Sequence, residues 1–409
     1  MRRQSIATIA GHIMFKPPQS ADQFPDSVLT AAAHTDPYPY YAALLAYRPI
    51  YSEHRLDLWI ALGAQAVTDV LSSTLCRVRP AAEPVPAALA GGPAGAIFKD
   101  LVRMNDGPRH AHMKAAVGAC LAGFDPARLT ALARRTATGL AHKLGTDPGG
   151  LDRFASALPV RVVAQMIGLP PEAAAQCATL TGDFVRCLSP LSGPAEIARS
   201  NEAASRLLDI VQDELRQSRH GSLAMQGDRL RSLGLEDREA IVANLIGFLS
   251  QSYEATAGLI GNALLALARD LALCRRAAGD DALLRRVIEE VARHDPPIHN
   301  TRRFVAEDGM VAGERMKAGD QILLVLAAAN RDPVRHAGPH VFDPDRRDRG
   351  SFTFGAGRHA CAGQAIATSI ALAGIQALMA HGLDIAALAG PVEYRPSINS
   401  RIPLFGGAT

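Results

Sequence analysis

The chain has 409 residues, of which 48% are hydrophobic and 20% are charged. This composition excludes a disordered protein and is sufficient for a large buried core. The formal charge of +3 is spread along the chain without a basic block, so nothing indicates binding to nucleic acid. The six cysteines are widely spaced, which excludes a zinc module or disulfide framework and favours the cytoplasm. No linker or abrupt change in composition divides the chain, so we expect one domain over residues 1–409.

The N-terminal sequence MRRQSIATIAGHIMFKPP contains two arginines and a short apolar run, but His12 interrupts the run and no cleavage motif follows. We therefore do not expect a signal peptide. Downstream, the first 290 residues have mainly helical patterns separated by prolines. The segment 50–62, IYSEHRLDLWIAL, predicts a hairpin, and the Ala/Gly/Pro-rich segment 80–96 predicts a flexible loop or a broken helix.

The longest helical pattern runs from Glu236 to Ala268. Three polar residues, Gln251, Glu254 and Asn262, interrupt its apolar character, so we expect a helix buried in protein and not in a bilayer. A satisfied internal hydrogen bond would explain each polar residue taken alone. Residues 303–327 then predict short strands separated by glycine turns. The sequence predicts a mainly α fold with small β-sheets.

Near the C-terminus, the stretch FTFGAGRHACAG ends in Cys361 and precedes an apolar helical pattern that Gly382 can terminate. A cysteine at a helix N-terminus has its thiolate stabilised by free N–H groups and the helix dipole. Gly355, Gly357 and Gly363 would allow tight bends and the close approach of a broad, flat group. These residues alone leave three readings open: a metal ligand, a buried structural cysteine, or a nucleophile.

The pattern of Phe354, Gly357, Cys361 and Gly363 resembles the haem-binding loop of the cytochrome P450 family. Further motifs agree in order and spacing. EVAR is similar to the family's E-x-x-R motif, with Glu290 and Arg293, and FDPDR supplies Arg346 as a third member of that buried charge cluster. AANRDP, DPPIHNTRR and NDGPRHAHMK also resemble family segments. The resemblance extends from about Asp36 to the C-terminus.

The resemblance implies the cytochrome P450 fold, a triangular prism with a long central helix over a haem b. It also implies that the Cys361 thiolate ligates the iron. By family position, three residues are expected at the haem propionates: His110, Arg303 and His359. Lys114 stands where the family usually has arginine, and it keeps the charge but loses the bidentate fork. Phe354 is expected beside the thiolate, and Gly363 completes the cofactor-binding set.

The informative departure lies in the long helix, where family members commonly have A-G-x-E/D-T. Alignment through TAGLIGN leaves Glu254 in place and puts Ala255 at the threonine position. Thr256 lies one residue later, about 100° around the helix, and should not substitute. Gln251 and Ser252 share a helix face with Ala255. We therefore assign four residues to the distal catalytic set: Gln251, Ser252, Glu254 and Ala255.

Family members without the threonine include enzymes that join aromatic natural products such as tryptophan-containing cyclic dipeptides. We therefore expect oxidative C–C or C–N coupling in bacterial secondary metabolism. The first alternative is hydroxylation or epoxidation of a macrolide, terpene or similar scaffold, in which Ser252, a water or a substrate hydroxyl replaces the threonine. Peroxide-driven chemistry is another alternative. A non-catalytic haem sensor is the alternative from a different functional class.

By family position, substrate contacts are expected from the 80–103 loop, the 184–199 region, the 247–255 face and a strand over Pro297–Thr301. The chain contains no recognisable flavin or iron–sulfur module. We therefore expect electrons from a separate ferredoxin and ferredoxin reductase, with an acidic ferredoxin meeting a basic face near the cysteine. We expect no membrane partner.

Overall fold

The structure is a computed structural model that describes residues 24–145, 149–189, 191–217 and 222–406. The N-terminal segment that we examined for a signal peptide lies outside these residues. In chain order the α-helices of the described residues are α1 (Tyr38–Tyr47), α2 (Ala64–Ser72), α3 (Pro93–Asp100), α4 (Gly107–Ala122), α5 (Pro126–Ala141), α6 (Gly150–Ile167), α7 (Pro171–Arg186), α8 (Pro194–Gln217), α9 (Ser222–Ser232), α10 (Arg238–Arg269), α11 (Leu271–Ala277), α12 (Asp281–His294), α13 (Leu326–Ala329) and α14 (Gln364–Ala380).

The strands are short. They are β1 (Ile50–Glu53), β2 (Leu58–Ala61), β3 (Cys76–Arg77), β4 (Thr301–Val305), β5 (Gly309–Val311), β6 (Glu314–Met316), β7 (Gln321–Leu324), β8 (Glu393–Tyr394) and β9 (Pro403–Leu404). The described part of the chain is therefore mainly α with small sheets, and the predicted fold class is confirmed.

The central element is α10, which begins and ends within two residues of the predicted bounds. The Asp237 carboxylate caps it by accepting from the backbone N–H groups of Glu239 and Ala240 at 2.9 and 3.4 Å. Both ends of α10 are buried in the main hydrophobic core, against α6, α3, α12 and α14. An apolar helix of this length is stable because neighbouring helices cover it on both sides of its middle turn, residues 251–255.

Two buried asparagines in α10 tie distant segments to the helix. Asn244 donates to the carbonyl of Asp100 at 2.9 Å and accepts from the N–H of Val102 at 2.9 Å. Asn262 donates to the carbonyl of Asp295 at 2.9 Å. The expected internal hydrogen bond is therefore confirmed for Asn262. Asn244 likewise binds the 100–102 segment to α10 through its hydrogen bonds.

The main sheet has five strands in the order β1-β2-β7-β4-β3. The predicted hairpin over 50–62 is confirmed, since Ile50 pairs with Ala61 and Glu53 with Leu58. The short strands predicted over 303–327 correspond to β4 through β7. The strand predicted for Pro297–Thr301 is wrong, because only Thr301 belongs to β4 and Ile298 forms an isolated bridge with Ser400. Proline cannot donate to a ladder, so Pro297 disfavours a regular strand here.

The segment 80–96 is a short 3-10 turn at Ala87–Leu89 followed by the start of α3 at Pro93. This matches the broken-helix alternative. Among the described residues no single helix is both long and apolar enough to span a bilayer. Helices α10 and α11 taken together are long and apolar enough, but their axes are bent by 118° relative to each other.

The predicted charge cluster of the E-x-x-R motif is confirmed. Arg293 is fully buried and donates to both oxygens of the Glu290 carboxylate at 2.6 and 2.9 Å. Its remaining N–H groups donate to the carbonyls of Asn330, Pro339 and Val341. Arg346 Nε lies 3.6 Å from Glu290 Oε1. This cluster joins α12 to the segment that leads into the cysteine loop.

Candidate haem-thiolate site

The cysteine loop, residues 352–363, holds Cys361 through its backbone. The Cys361 N–H donates to the Phe354 carbonyl at 2.7 Å, and the Gly363 N–H donates to the Cys361 sulfur at 3.3 Å. Gly355 and Gly357 have φ of 67° and 62°, which require glycine. Cys361 is exposed, whereas Cys274 is half-buried and the other four cysteines are buried. Cys361 is therefore the cysteine best placed to ligate a metal.

Gly363 behaves differently from the other two loop glycines. Its φ is −98°, so its backbone does not need glycine. A Cβ at this position would meet only the Cys361 sulfur, at 3.8 Å. Nothing among the described residues therefore requires glycine at 363, and the space beside the sulfur is open to a group from outside the chain. The helix that follows, α14, ends as predicted at Gly382, whose φ is 85°.

Hydrogen-bond donors converge beside the loop, where the sequence predicted propionate-binding residues. The His110 and His359 rings stack with centroids 4.0 Å apart, and His359 Nε2 lies 3.2 Å from an Asp106 oxygen. Lys114 Nζ contacts the Ala360 carbonyl, next to Cys361. Arg303 is buried on β4 and donates to the neighbouring Arg302 carbonyl at 2.8 Å. The structure thus brings four predicted residues to one side of the cysteine loop.

A cavity of about 430 Å³ opens at this cluster, and it is lined by Thr74, Arg77, Gly107, His110, Ala111, Lys114 and Arg358. Burial, together with the neighbouring His359 and Lys114, lowers the pKa of His110 to about 4. His110 Nε2 is buried without a hydrogen-bond partner in the described ranges. Carboxylates would accept a hydrogen bond from this nitrogen and offset the positive charges of Arg77, Lys114 and Arg358 in the cavity lining. The residues present therefore fit a haem, with a sulfur ligand on one side and carboxylate-binding groups beside it.

The distal side is formed by the middle of α10. Residues 251–255 are exposed or half-buried, while both flanks of the helix are buried. The Gln251 amide donates to the Gly247 carbonyl at 2.9 Å, and the Ser252 hydroxyl donates to the Leu249 carbonyl at 2.8 Å. Thr256 is buried. The four predicted distal residues therefore share one accessible stretch, but the Ser252 hydroxyl and one of the two Gln251 amide N–H groups are bonded to carbonyls of their own helix.

Glu254 has two arginine neighbours that sequence reasoning missed. Arg395 Nη1 lies 3.9 Å from the Glu254 carboxylate. Burial raises the pKa of Glu254, and the charges of Arg395 and Arg103 oppose that increase. Arg395 follows β8, far from α10 in sequence, so no local pattern could reveal the pair. Arg103 had a signal: it is a charged residue in the otherwise apolar stretch LVRM.

Comparisons with known proteins agree with this geometry. The family model described as Cytochrome P450 matches residues 280–381, which include α12 and most of the cysteine-loop region. The C-19 steroid 1alpha-hydroxylase of Sorangium cellulosum is 31% identical over 60% of this chain, and the match spans 63% of that relative, just under two thirds.

The cytochrome P450 monooxygenase PikC of Streptomyces venezuelae is 28% identical over 88% of this chain and 86% of its own length. The crystal structure of CalO2 is 26% identical and has a TM-score of 0.79, covering 93% of this chain and 99% of the other. Given the cysteine loop, the E-x-x-R cluster and these matches, the chain belongs to the cytochrome P450 family of oxidoreductases, which carry a haem held by a cysteine thiolate.

Proposed function

We propose that this protein oxidises a small natural product and that its reaction is oxidative coupling, in which a C–C or C–N bond closes in an aromatic substrate such as a tryptophan-containing cyclic dipeptide. One observation carries the proposal. Ala255 aligns with the usual distal threonine, and the Ser252 hydroxyl on its face donates to the Leu249 carbonyl. Members of the family that lack this threonine include enzymes that join aromatic natural products, so the departure supports coupling by analogy.

For the haem, we propose that Cys361 supplies the thiolate ligand and that four residues hold the propionates: His110, Lys114, Arg303 and His359. The bound haem supplies the activation of dioxygen. Phe354 lies against the main core and accepts the Cys361 N–H, so its packing fixes the sulfur in place. The open side of Gly363 lets the flat ring approach the loop.

On the distal side, Glu254 is the proposed proton-holding group. Its pKa is raised by burial, while Arg395 keeps a positive charge 3.9 Å away. Ser252 lines the same face but has its hydroxyl hydrogen bonded to the Leu249 carbonyl, whereas Gln251 keeps one amide N–H and its amide oxygen for water. The Ala255 methyl group adds no polar atom. Protons would therefore reach the pocket through Glu254 and water, with no side-chain hydroxyl free to donate directly.

Substrate-assisted hydroxylation is the second candidate, and the comparisons favour it. One matched relative is named a steroid hydroxylase and another a monooxygenase. In this reading a hydroxyl of a macrolide, terpene or similar substrate would replace the missing threonine. The same names count against a non-catalytic haem sensor.

Labelled dioxygen separates the two candidates. Hydroxylation places one atom of dioxygen in the product and the other in water, whereas coupling removes two hydrogen atoms from the substrate and places both oxygen atoms in water. Both consume two electrons from the reductase system. Incubation with a tryptophan-containing cyclic dipeptide under ¹⁸O₂ should give a dehydrogenated product without ¹⁸O. A product that carries one ¹⁸O atom would contradict coupling.

The variant Ala255→Thr sharpens this test. Coupling should continue at a similar rate, because the added hydroxyl takes no part in closing the C–C or C–N bond. A large rise in oxygen-labelled product at the expense of coupling would instead show that the chain is a hydroxylase lacking its usual donor. Cys361→Ser is the control for the site itself, since it should remove the thiolate signature from the ferrous carbon monoxide spectrum.

We also propose that a separate ferredoxin and ferredoxin reductase deliver electrons at the basic face beside the cysteine loop. Arg77, Lys114 and Arg358 line the cavity there. Reduction by an acidic ferredoxin should slow as ionic strength rises, because exposed charges are screened. A rate that does not respond to salt would contradict electrostatic docking.

A further inference from the structure

Arg103 lies in a short turn that is fixed on both sides. The 3-10 helix Val102–Met104 follows α3, and Asn244 of α10 binds both the Asp100 carbonyl and the Val102 N–H. On the other side, the Asn105 amide donates to the Leu101 carbonyl at 2.8 Å. The backbone of Arg103 therefore has little freedom, and its side chain is presented from a preorganised turn.

The turn also approaches α10 unusually closely. A Cβ on Gly247 would lie 2.8 Å from a Leu101 methyl carbon, so a larger residue would require the Leu101 side chain to shift. Gly247 is one helical turn before Gln251, at the start of the accessible stretch. Arg103 is thus held next to the distal face of α10.

One nitrogen of the Arg103 guanidinium lacks a partner. Arg103 is half-buried, and its Nε is fully buried with no hydrogen-bond partner within the described parts of the chain. The guanidinium interacts electrostatically with Glu254 on α10 and with the Cys187 side chain after α7. Burial raises the pKa of the Cys187 thiol to about 11, so it is neutral near pH 7. A buried N–H without a partner costs free energy unless something else binds it.

The local charges do not balance. Glu254 has its own ion-pair partner in Arg395, at 3.9 Å. Two guanidinium groups therefore face one carboxylate, which leaves an excess of one positive charge on the distal side. A ligand with one negative charge would neutralise it.

The haem propionates do not account for Arg103. The groups expected there interact with one another: His110 with His359 and Lys114, and Arg303 with Asp106. Arg103 interacts instead with Glu254 of α10 and with Cys187 after α7, on the side from which a substrate would be bound.

We infer that Arg103 is a specificity-determining residue that binds a carboxylate group of the substrate on the distal side of the pocket. The planar guanidinium fork matches a carboxylate in a bidentate arrangement. The inference rests on the proposed function because it takes the distal side of α10 to be the substrate pocket. It concerns substrate binding and does not depend on the type of oxidation. It predicts substrates that carry one carboxylate, which in a tryptophan-containing cyclic dipeptide would have to come from an acidic second side chain.

Matched acid and amide ligands test the inference. Isothermal titration calorimetry on the haem-loaded protein would compare indole-3-propionic acid with indole-3-propionamide, and dodecanoic acid with dodecanamide. At least one acid should bind roughly ten- to one-hundred-fold more tightly than its amide, as expected for a charge-assisted hydrogen bond in a partly buried site. Arg103→Gln should bring this ratio close to one, and Arg103→Lys should retain part of it.

The control is Arg134→Gln on α5, which removes the same charge from an exposed ion pair with Asp281. This variant should keep the wild-type ratio. The inference is overturned if neither acid binds more tightly than its amide, including the case in which neither binds measurably. It is also overturned if Arg103→Gln weakens acid and amide equally. Calorimetry needs no turnover, so selective binding of acids without oxidation would contradict the proposed function alone.

Discussion

The E-x-x-R cluster on α12 and the distal side at the middle of α10 each contain an arginine near a glutamate, but the two arginines are bonded very differently. Arg293, in the E-x-x-R cluster, is completely buried, yet its five hydrogen bonds satisfy every donor direction. Arg103, near Glu254, has a buried Nε with no partner in the described chain. The chain therefore supplies every hydrogen-bond acceptor that Arg293 needs but leaves the Nε of Arg103 without one.

The difference indicates where a ligand belongs. A satisfied buried charge holds elements together, and here it joins α12 to the segment before the cysteine loop. A buried polar atom without a hydrogen-bond partner lowers the stability of the fold, and such atoms are retained where they bind a ligand. The following predictions test this division between a structural and a ligand-binding arginine.

The largest effect is expected for Arg293→Ala. It leaves the buried Glu290 carboxylate with only Arg346 as a charged neighbour and the Asp343 N–H as a donor, and it frees three carbonyls. We expect the free energy of unfolding to fall by about 3–5 kcal/mol, measured by urea unfolding of the haem-loaded protein. Arg134→Ala, in an exposed pair, is the control and should cost less than about 1 kcal/mol. Equal losses for the two variants would refute the structural role of Arg293.

Asn244→Leu should have the next largest effect. The substitution leaves the Val102 N–H and the Asp100 carbonyl buried without their partner. We expect a loss of about 1–3 kcal/mol in the free energy of unfolding. Because the turn that carries Arg103 would loosen, the acid-to-amide binding ratio should also decrease. A destabilised protein with an unchanged ratio would show that the frame around Arg103 is unimportant for binding.

Arg103→Met should change stability little. The substitution removes an unpaired charge and keeps a side chain of similar length, so the free energy of unfolding should stay within about 1 kcal/mol of wild type or increase. The comparison with Arg293→Ala is made under the same unfolding conditions. A loss as large as that of Arg293→Ala would place Arg103 among the structural residues.

The smallest effect is expected in the pH dependence of stability. Burial raises the pKa of Glu254 above its ordinary value of 4.5. Between that value and the raised pKa, the folded state keeps a proton that the unfolded state has lost, so stability falls as pH rises. The difference in unfolding free energy between wild type and Glu254→Gln should decrease across this window. A difference that increases with pH would mean that the pKa of Glu254 is lowered instead.

Local sequence patterns were sufficient for much of the fold. The bounds of α10 follow from a long apolar pattern with an aspartate cap, and the 50–62 hairpin follows from its alternating residues. The strand predicted at Pro297–Thr301 failed because family position was used where the prolines oppose a ladder. The helix after Cys361 ended at Gly382 as predicted, since a positive φ there is a property of glycine itself.

The candidate site was predicted unevenly. The motif residues around Cys361 come together as expected, because each stands in a segment with its own signature. Helical periodicity correctly placed Gln251 and Ser252 on one face, but it could not show that their donors turn back to Gly247 and Leu249. That choice is a side-chain rotamer, and it depends on what packs nearby.

The sequence by itself indicated the family, the cysteine expected to ligate the iron and the absence of the usual threonine. Each of these depends on a short motif with fixed spacing between its residues. Only the tertiary structure decided which charges are paired. Glu254 meets Arg395 from the C-terminal region, while Arg103 approaches from the turn before α4. Charge pairing depends on distance in space and on burial, and neither can be obtained from the separation of residues along the chain.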